Sequence, residues 1–227
     1  MIKISAVIIG SIDVDADELK NIAGVETFKV TDKKSCDDCL AKIADNNIVF
    51  IIADGREVYF AEKIFSRLGA LKIYLVTEAH AADNKNLNDV IIQLPAQNFS
   101  HKIFEVACAF NDILNVEGLV KLDFEDVKTL LKNSGKAVSS IGIAAGENAI
   151  DNALQNALEG HEIKSAKSVL VNFKMSQDSA TMAEISAATE KIQADVSEDA
   201  QIIWGVTIDD SLGDKVKVAV IAGKFGA

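Results

Sequence analysis

The sequence has one proline (Pro95), three cysteines, two arginines (Arg56 and Arg67) and no clustered glycine in 227 residues. Each scarcity excludes something. With two arginines and a net charge of −11, the chain lacks the basic face that displaces counterions and the forked guanidiniums that read base edges, so nucleic acid is not its partner. Three cysteines form no complete disulfide framework. Cys36-Asp37-Asp38-Cys39 has the spacing of a thiol pair, but the intervening carboxylates raise thiol pKa values. His80, His101 and His161 all lie far from it, so no zinc set forms. No two of the 13 glycines are adjacent or one residue apart, so neither a P-loop nor a dinucleotide fingerprint is present. Apolar runs such as Ile48–Ala53 and Val216–Gly223 are too short to span a bilayer, and Met1-Ile2-Lys3 has no signal-peptide layout. A soluble, cytoplasmic protein with no membrane partner is expected.

What is present is an ordinary globular balance, 49% apolar and 25% charged. Largely apolar strand runs at Ile2–Ile9, Ile48–Ala53, Leu71–Thr77 and Val90–Leu94, with a shorter β-prone run at Val25–Val30, alternate with amphipathic stretches at Ala16–Ala23, Cys36–Ala44 and Glu57–Leu68. Such strands belong to a parallel sheet covered on both faces, so the first part is Rossmann-like in the broad sense. Gly69 is the expected C′ residue of the third helix, and Ser35 the expected cap of the second. Ser100–Asn115 carries a helical apolar stripe, and Glu117-Gly118-Leu119 reads as an unstructured step. Helices Phe124–Leu131, Glu147–Leu158 and Met182–Val196 then alternate with strands Ala137–Ala144, Ser168–Phe173, Gln201–Ile208 and Lys215–Ala222, an α+β pattern. The expected divisions are residues 1–99, 100–117 and 118–227.

Carboxylates dominate the candidate sites. The turns Gly10–Asp13 and Ala53–Glu57 would repel a phosphate. Asp13, Asp15 and Asp17 alternate like a calcium loop, but Glu18 and Gly24 occupy the places of its glycine and bidentate glutamate. Lys121-Leu122-Asp123-Phe124-Glu125-Asp126 remains: Asp123 and Asp126 suit either the orientation of a water or metal-bound phosphate, or the cap and acidic first turn of a helix.

Gly118–Val127, reading GLVKLDFEDV, resembles the synergy loop of FtsZ, the bacterial cell-division relative of tubulin, where G-L-x-N-x-D-F-A-D-V is usual. Ile141–Asn148 resembles G-I-G-x-A-x-G-E, and Ile202–Asp214 resembles I-I-F-G-x-x-I-D-E-S-L-G-D; in order, the likeness covers Gly118 to Phe225. Leu68–Leu71 with Val76-Thr77 is a weaker match to L-G-A-L…V-V-T. The resemblance implies a Rossmann-like GTPase-type domain, a central helix and an α+β domain. It places Asp123 and Asp126 at the two catalytic aspartates that act on a neighbour's GTP, with Lys121 replacing the usual asparagine. Lys121, Asp123, Phe124 and Glu125 become the expected contact residues. The glycine-rich loops expected after Ile4–Ile9 and Ile51–Ala53 are missing, and His101 stands near the position of the guanine-binding aspartate. The implied protein is a non-enzymatic partner, cap or modulator of an FtsZ-like subunit, with no cofactor or metal. The alternatives are a self-polymerising GTPase that binds GTP at a degenerate phosphate site, and a fold reused for another purpose, such as a homodimer.

Overall fold

The computed structural model describes residues 1–54, 56–77, 89–132, 134–177, 179 and 181–223. Gly55, His80 and Phe225, named above, lie outside these. Packing divides the chain into two units, Met1–Asn111 and Asp112–Ala227.

In the first unit, β1 (Ile4–Ile9), β2 (Val25–Val30), β3 (Ile48–Ile52), β4 (Leu71–Thr77) and β5 (Val90–Leu94) form a parallel sheet in the order β2-β1-β3-β4-β5. The helices are α1 (Ala16–Lys20), α2 (Lys33–Ile43), α3 (Arg56–Phe65) and most of α4 (Phe99–Asn115), within which the two units divide. Val7, Ile51, Tyr74 and Ile91 align across the strands and join Cys39, Ile43, Val58, Ala61 and Phe65 of α2 and α3 in one core layer. Side chains alternate across a strand, so Phe50 points to the other face. There it meets Phe110 of α4 edge-on at 5.5 Å. Each such buried side chain contributes about 1.5–3 kcal/mol.

Two helix ends differ from expectation. Helix α2 is capped by Asp32, whose carboxylate accepts from Ser35 N at 2.8 Å, while Ser35 Oγ accepts from Asp32 N at 3.0 Å. Both residues belong to one capping box; Ser35 fills its third helical position instead of the cap. Helix α3 ends at Phe65, and Gly69 is not left-handed, because the chain leaves the helix through a turn closed by Leu68 N on Phe65 O.

The second unit contains β6 (Gly118–Val120), α5 (Phe124–Leu131), β7 (Gly135–Ala145), α6 (Ala149–Leu158), β8 (Ser168–Met175), α7 (Met182–Asp195), β9 (Gln201–Ile208) and β10 (Lys215–Gly223). The sheet order is β7-β10-β8-β9-β6. Strand β10 runs antiparallel to β7 and β8, and β8 runs parallel to β9. The core beneath α6 and α7 includes Val169, Val171, Phe173, Ile185 and Ile192. Helix α6 lies so close to β7 that a Cβ at Gly142 would collide with the backbone of Ala153 and Ala157. Thr181 and Glu184 cap α7 reciprocally.

Candidate functional site

The chain reaches α5 through a strand, β6, where the residue pattern alone suggests an unstructured step. Strand β6 pairs antiparallel with β9, Gly118 opposite Thr207 and Val120 opposite Val206. Three residues carry no readable period; what makes them a strand is their partner, nearly ninety residues away in sequence. The pairing needs Gly118, because a Cβ there would strike the Val206 carbonyl. It leaves Leu119 59% exposed on the sheet edge.

Asp123 then caps α5. Its backbone is extended, and its Oδ1 accepts from Glu125 N at 2.7 Å. Phe124 is 8% exposed and anchors the helix, with the Lys128 ammonium 5.6 Å from its ring centroid. Its buried side chain therefore offers little to a partner. Lys121, Asp123, Glu125 and Asp126 are exposed. Glu125 lies 3.9 Å from Lys128, whereas the Asp126 carboxylate has no partner among the described residues. The aspartates thus share one end of α5, with Asp123 engaged by the helix and Asp126 free. Among the described residues, no three His, Cys, Asp or Glu side chains converge to hold a metal.

Sequence reasoning missed a charge cluster in the same unit. Lys174 Nζ of β8 lies 3.0 Å from Asp112 Oδ1 and 3.1 Å from Asp209 Oδ2. Burial would lower the Lys174 pKa, but Asp112 and Asp209 outweigh it and raise the value. Asp209 also caps the 3-10 turn Asp210–Leu212; its bonds from Ser211, followed by Lys174, hold its carboxyl below the usual range despite some burial. Beside them, Thr207 Oγ1 is 3.0 Å from Asn172 Oδ1 and 3.3 Å from Asp112 O. In the sequence, Asp209-Asp210-Ser211 stands out only within the family-like run Ile202–Asp214, and nothing local marks Lys174.

In the first unit, β1 and β3 flank the point where the connections diverge, the usual ligand crevice of an open α/β sheet. Gly10 ends β1 with φ +76°. The Glu57 carboxylate rests against its Cα, where a side chain at Gly10 would collide with it. Asp54 at the end of β3 accepts from Thr77 Oγ1 at 3.2 Å. Of the calcium-like series, Asp15 caps α1 and Asp17 pairs with Lys20 at 2.6 Å, so both serve an exposed helix entrance. His101 Nδ1 lies 3.3 Å from Glu18 Oε1. Cys36 and Cys39 are buried. Burial and then Asp37 raise the first thiol, and burial and then Cys36 push the second up to about 11, so neither is poised as a nucleophile.

Residues 135–226 match the sequence model of the FtsZ family, C-terminal domain. Among curated relatives, the cell division protein FtsZ of Magnetospirillum gryphiswaldense is 28% identical over 87% of this chain and 42% of its own length. FtsZ of a Wolbachia species is 34% identical over 49% of this chain and 29% of its own. The chain spans less than half the length of these relatives. Among solved structures, an empty FtsZ dimer from M. jannaschii superposes with TM-score 0.78 at 19% identity, covering 98% of this chain and 88% of that one. GDP-form TubZ protofilaments from Bacillus thuringiensis serovar israelensis give 0.63 at 11% identity, over 98% and 87%. No described helix is long and apolar enough to cross a membrane. Residues 135–226 thus carry the sequence of an FtsZ-family C-terminal domain, and the chain has an FtsZ/tubulin-like fold.

Proposed function

We propose that this chain is a non-catalytic, FtsZ-like cytoskeletal or cell-division protein of the cytoplasm that acts through protein–protein contact. The exposed side chains before and within the first turn of α5, Lys121, Asp123, Glu125 and Asp126, meet an FtsZ-like subunit, and the chain caps or modulates that subunit's filament. The observation that carries this reading is Glu57 seated on Gly10. A carboxylate already fills the position where backbone N–H groups would have to cradle a phosphate. In a partly buried site, two like unit charges 4 Å apart repel by about 4 kcal/mol, so an incoming phosphate is disfavoured. The α5 surface has no such obstruction. It can complete a site on a neighbour while its own chain holds no nucleotide.

Two measurements test the proposal. Calorimetric titration with GTP and GDP is expected to show no saturable heat. Saturable micromolar binding would favour the alternative, a GTP-binding, self-polymerising GTPase in which Asp123 and Asp126 are catalytic. Sedimentation of authentic FtsZ with GTP is expected to lose polymer, or to carry this protein into the pellet; unchanged polymer and no co-sedimentation would overturn the partner role.

A further inference from the structure

A groove of about 580 Å³ opens between α2 and α3 above the carboxyl ends of β1 and β2, wholly within the first unit. Its size is that of a small-molecule site, and its walls come from two helical stripes. Helix α3 contributes Glu57, Phe60 and Ile64, at i, i+3 and i+7; Cys36 and Leu40, four apart on α2, face them. Ile9 and Val30 supply an apolar floor.

The polar groups are unequally occupied. The Asp32 carboxylate is committed to capping α2. Half-buried Glu57 receives no hydrogen bond and no ion pair among the described residues, although it faces apolar walls, and neither does exposed Asp37. Among the described residues, Lys33 is the one cation on the lining, and it makes no ion pair with either. Phe60 is 60% exposed, with Tyr59 edge-on to it at 6.4 Å. A half-buried carboxylate without a counter-charge among the described residues, beside an open aromatic face, is the chemistry that attracts an organic cation.

We infer that this groove binds a small organic cation with an aromatic or branched apolar body, its charge on Glu57 and its body between Phe60, Ile64 and Leu40. The inference is separate from the α5 contact surface, and its failure would leave that reading standing.

The test is an NMR titration of the full chain with three probes that share one body: phenethylammonium, 2-phenylethanol and 3-phenylpropionate. Saturable shifts confined to the groove, at Cys36, Leu40, Phe60 and Ile64, are expected for the ammonium. The alcohol should bind about tenfold more weakly and the carboxylate should not saturate. Glu57→Gln, nearly isosteric, is expected to weaken ammonium binding about fivefold while the remaining spectrum is retained. Equal binding of all three probes, no saturation by the ammonium, or an unchanged affinity in Glu57→Gln would each overturn the inference.

Discussion

In the first unit the buried hydroxyls of Thr27 and Tyr74 have no hydrogen-bond partner among the described residues. In the second unit, Thr207 reaches Asn172 and the Asp112 carbonyl, Ser134 lies 3.4 Å from Ser168, and Lys174 holds two carboxylates. The glycines divide the same way. Gly118 and Gly142 of the second unit stand where backbones pass too close for a Cβ, whereas Gly10 of the first has a carboxylate side chain against it. The second unit is thus specified by fixed polar pairs and close backbone approaches, which tolerate few residues. The first has polar pairs of its own, Lys72 with Asp89 at 3.3 Å and Asn46 with Ser5, but the layer between its parallel sheet and helices α2 and α3 is held by interchangeable apolar side chains, which tolerate many. The sequence match to the family's C-terminal domain, residues 135–226, falls within that second unit.

The sharpest way to break this comparison is Gly142→Ala. The added methyl meets backbone atoms of α6, which cannot rotate away, so a loss of about 3 kcal/mol or more is expected in urea unfolding. Gly69→Ala is the control: nothing lies within 4 Å of its Cβ position and its φ is not positive, so the change should be neutral or stabilise by about 0.5 kcal/mol. Equal effects at the two positions would remove the distinction between a packing glycine and a loop glycine.

Next in size is Lys174→Ala. It leaves the Asp112 carboxylate, mostly buried, without its cation, at an expected cost of about 2 kcal/mol. The pH profile carries the sign. The Lys174 pKa is raised, so its contribution is complete below the ordinary lysine value of about 10.4 and is lost as pH rises through the folded value. The Asp209 pKa is lowered, so its contribution is complete above about 3.9 and is lost as pH falls through the folded value. Lys174→Ala should flatten the alkaline limb and shrink the acid one in stability curves from pH 3 to 11.

Tyr74→Phe should act in the opposite direction. Its hydroxyl is buried and has no partner among the described residues, and burial, then Asp89 and Glu62, push its pKa up. Removing it should raise stability by about 1 kcal/mol. A loss of similar size would mean that the hydroxyl has a partner and would weaken the contrast between the units.

The same physics explains what could be read from the sequence. Strands β1, β3 and β4 are apolar at nearly every residue because both faces are covered, and that signal is local. The cap at Asp123 and the acidic first turn were legible for the same reason. Asp32 and Ser35 show the limit of local reading: both suit a cap, and only the backbone geometry decides between them. Lys174 is 62 residues from Asp112, and Glu57 is 47 from Gly10. No periodicity reports such pairs. The site's charge pattern was therefore visible as single acidic residues, without the contacts that make one carboxylate a cap, another an obstruction and a third free.

The finest prediction separates capping from contact at α5. Asp123→Ala removes the acceptor for Glu125 N and should cost about 1 kcal/mol. Asp123→Ser keeps a cap while deleting the charge, so stability should stay within about 0.5 kcal/mol of the parent. Asp126→Asn should also stay within about 0.5 kcal/mol, because its carboxylate engages nothing among the described residues. If the α5 surface acts on a partner through charge, Asp123→Ser and Asp126→Asn will lose the effect on FtsZ sedimentation although both fold like the parent. If the two aspartates serve the helix alone, both variants will retain that effect and only Asp123→Ala will be altered, through its stability. Sedimentation and urea unfolding on the same three proteins distinguish the outcomes, since a change of charge at constant stability has no route to the pellet except through contact.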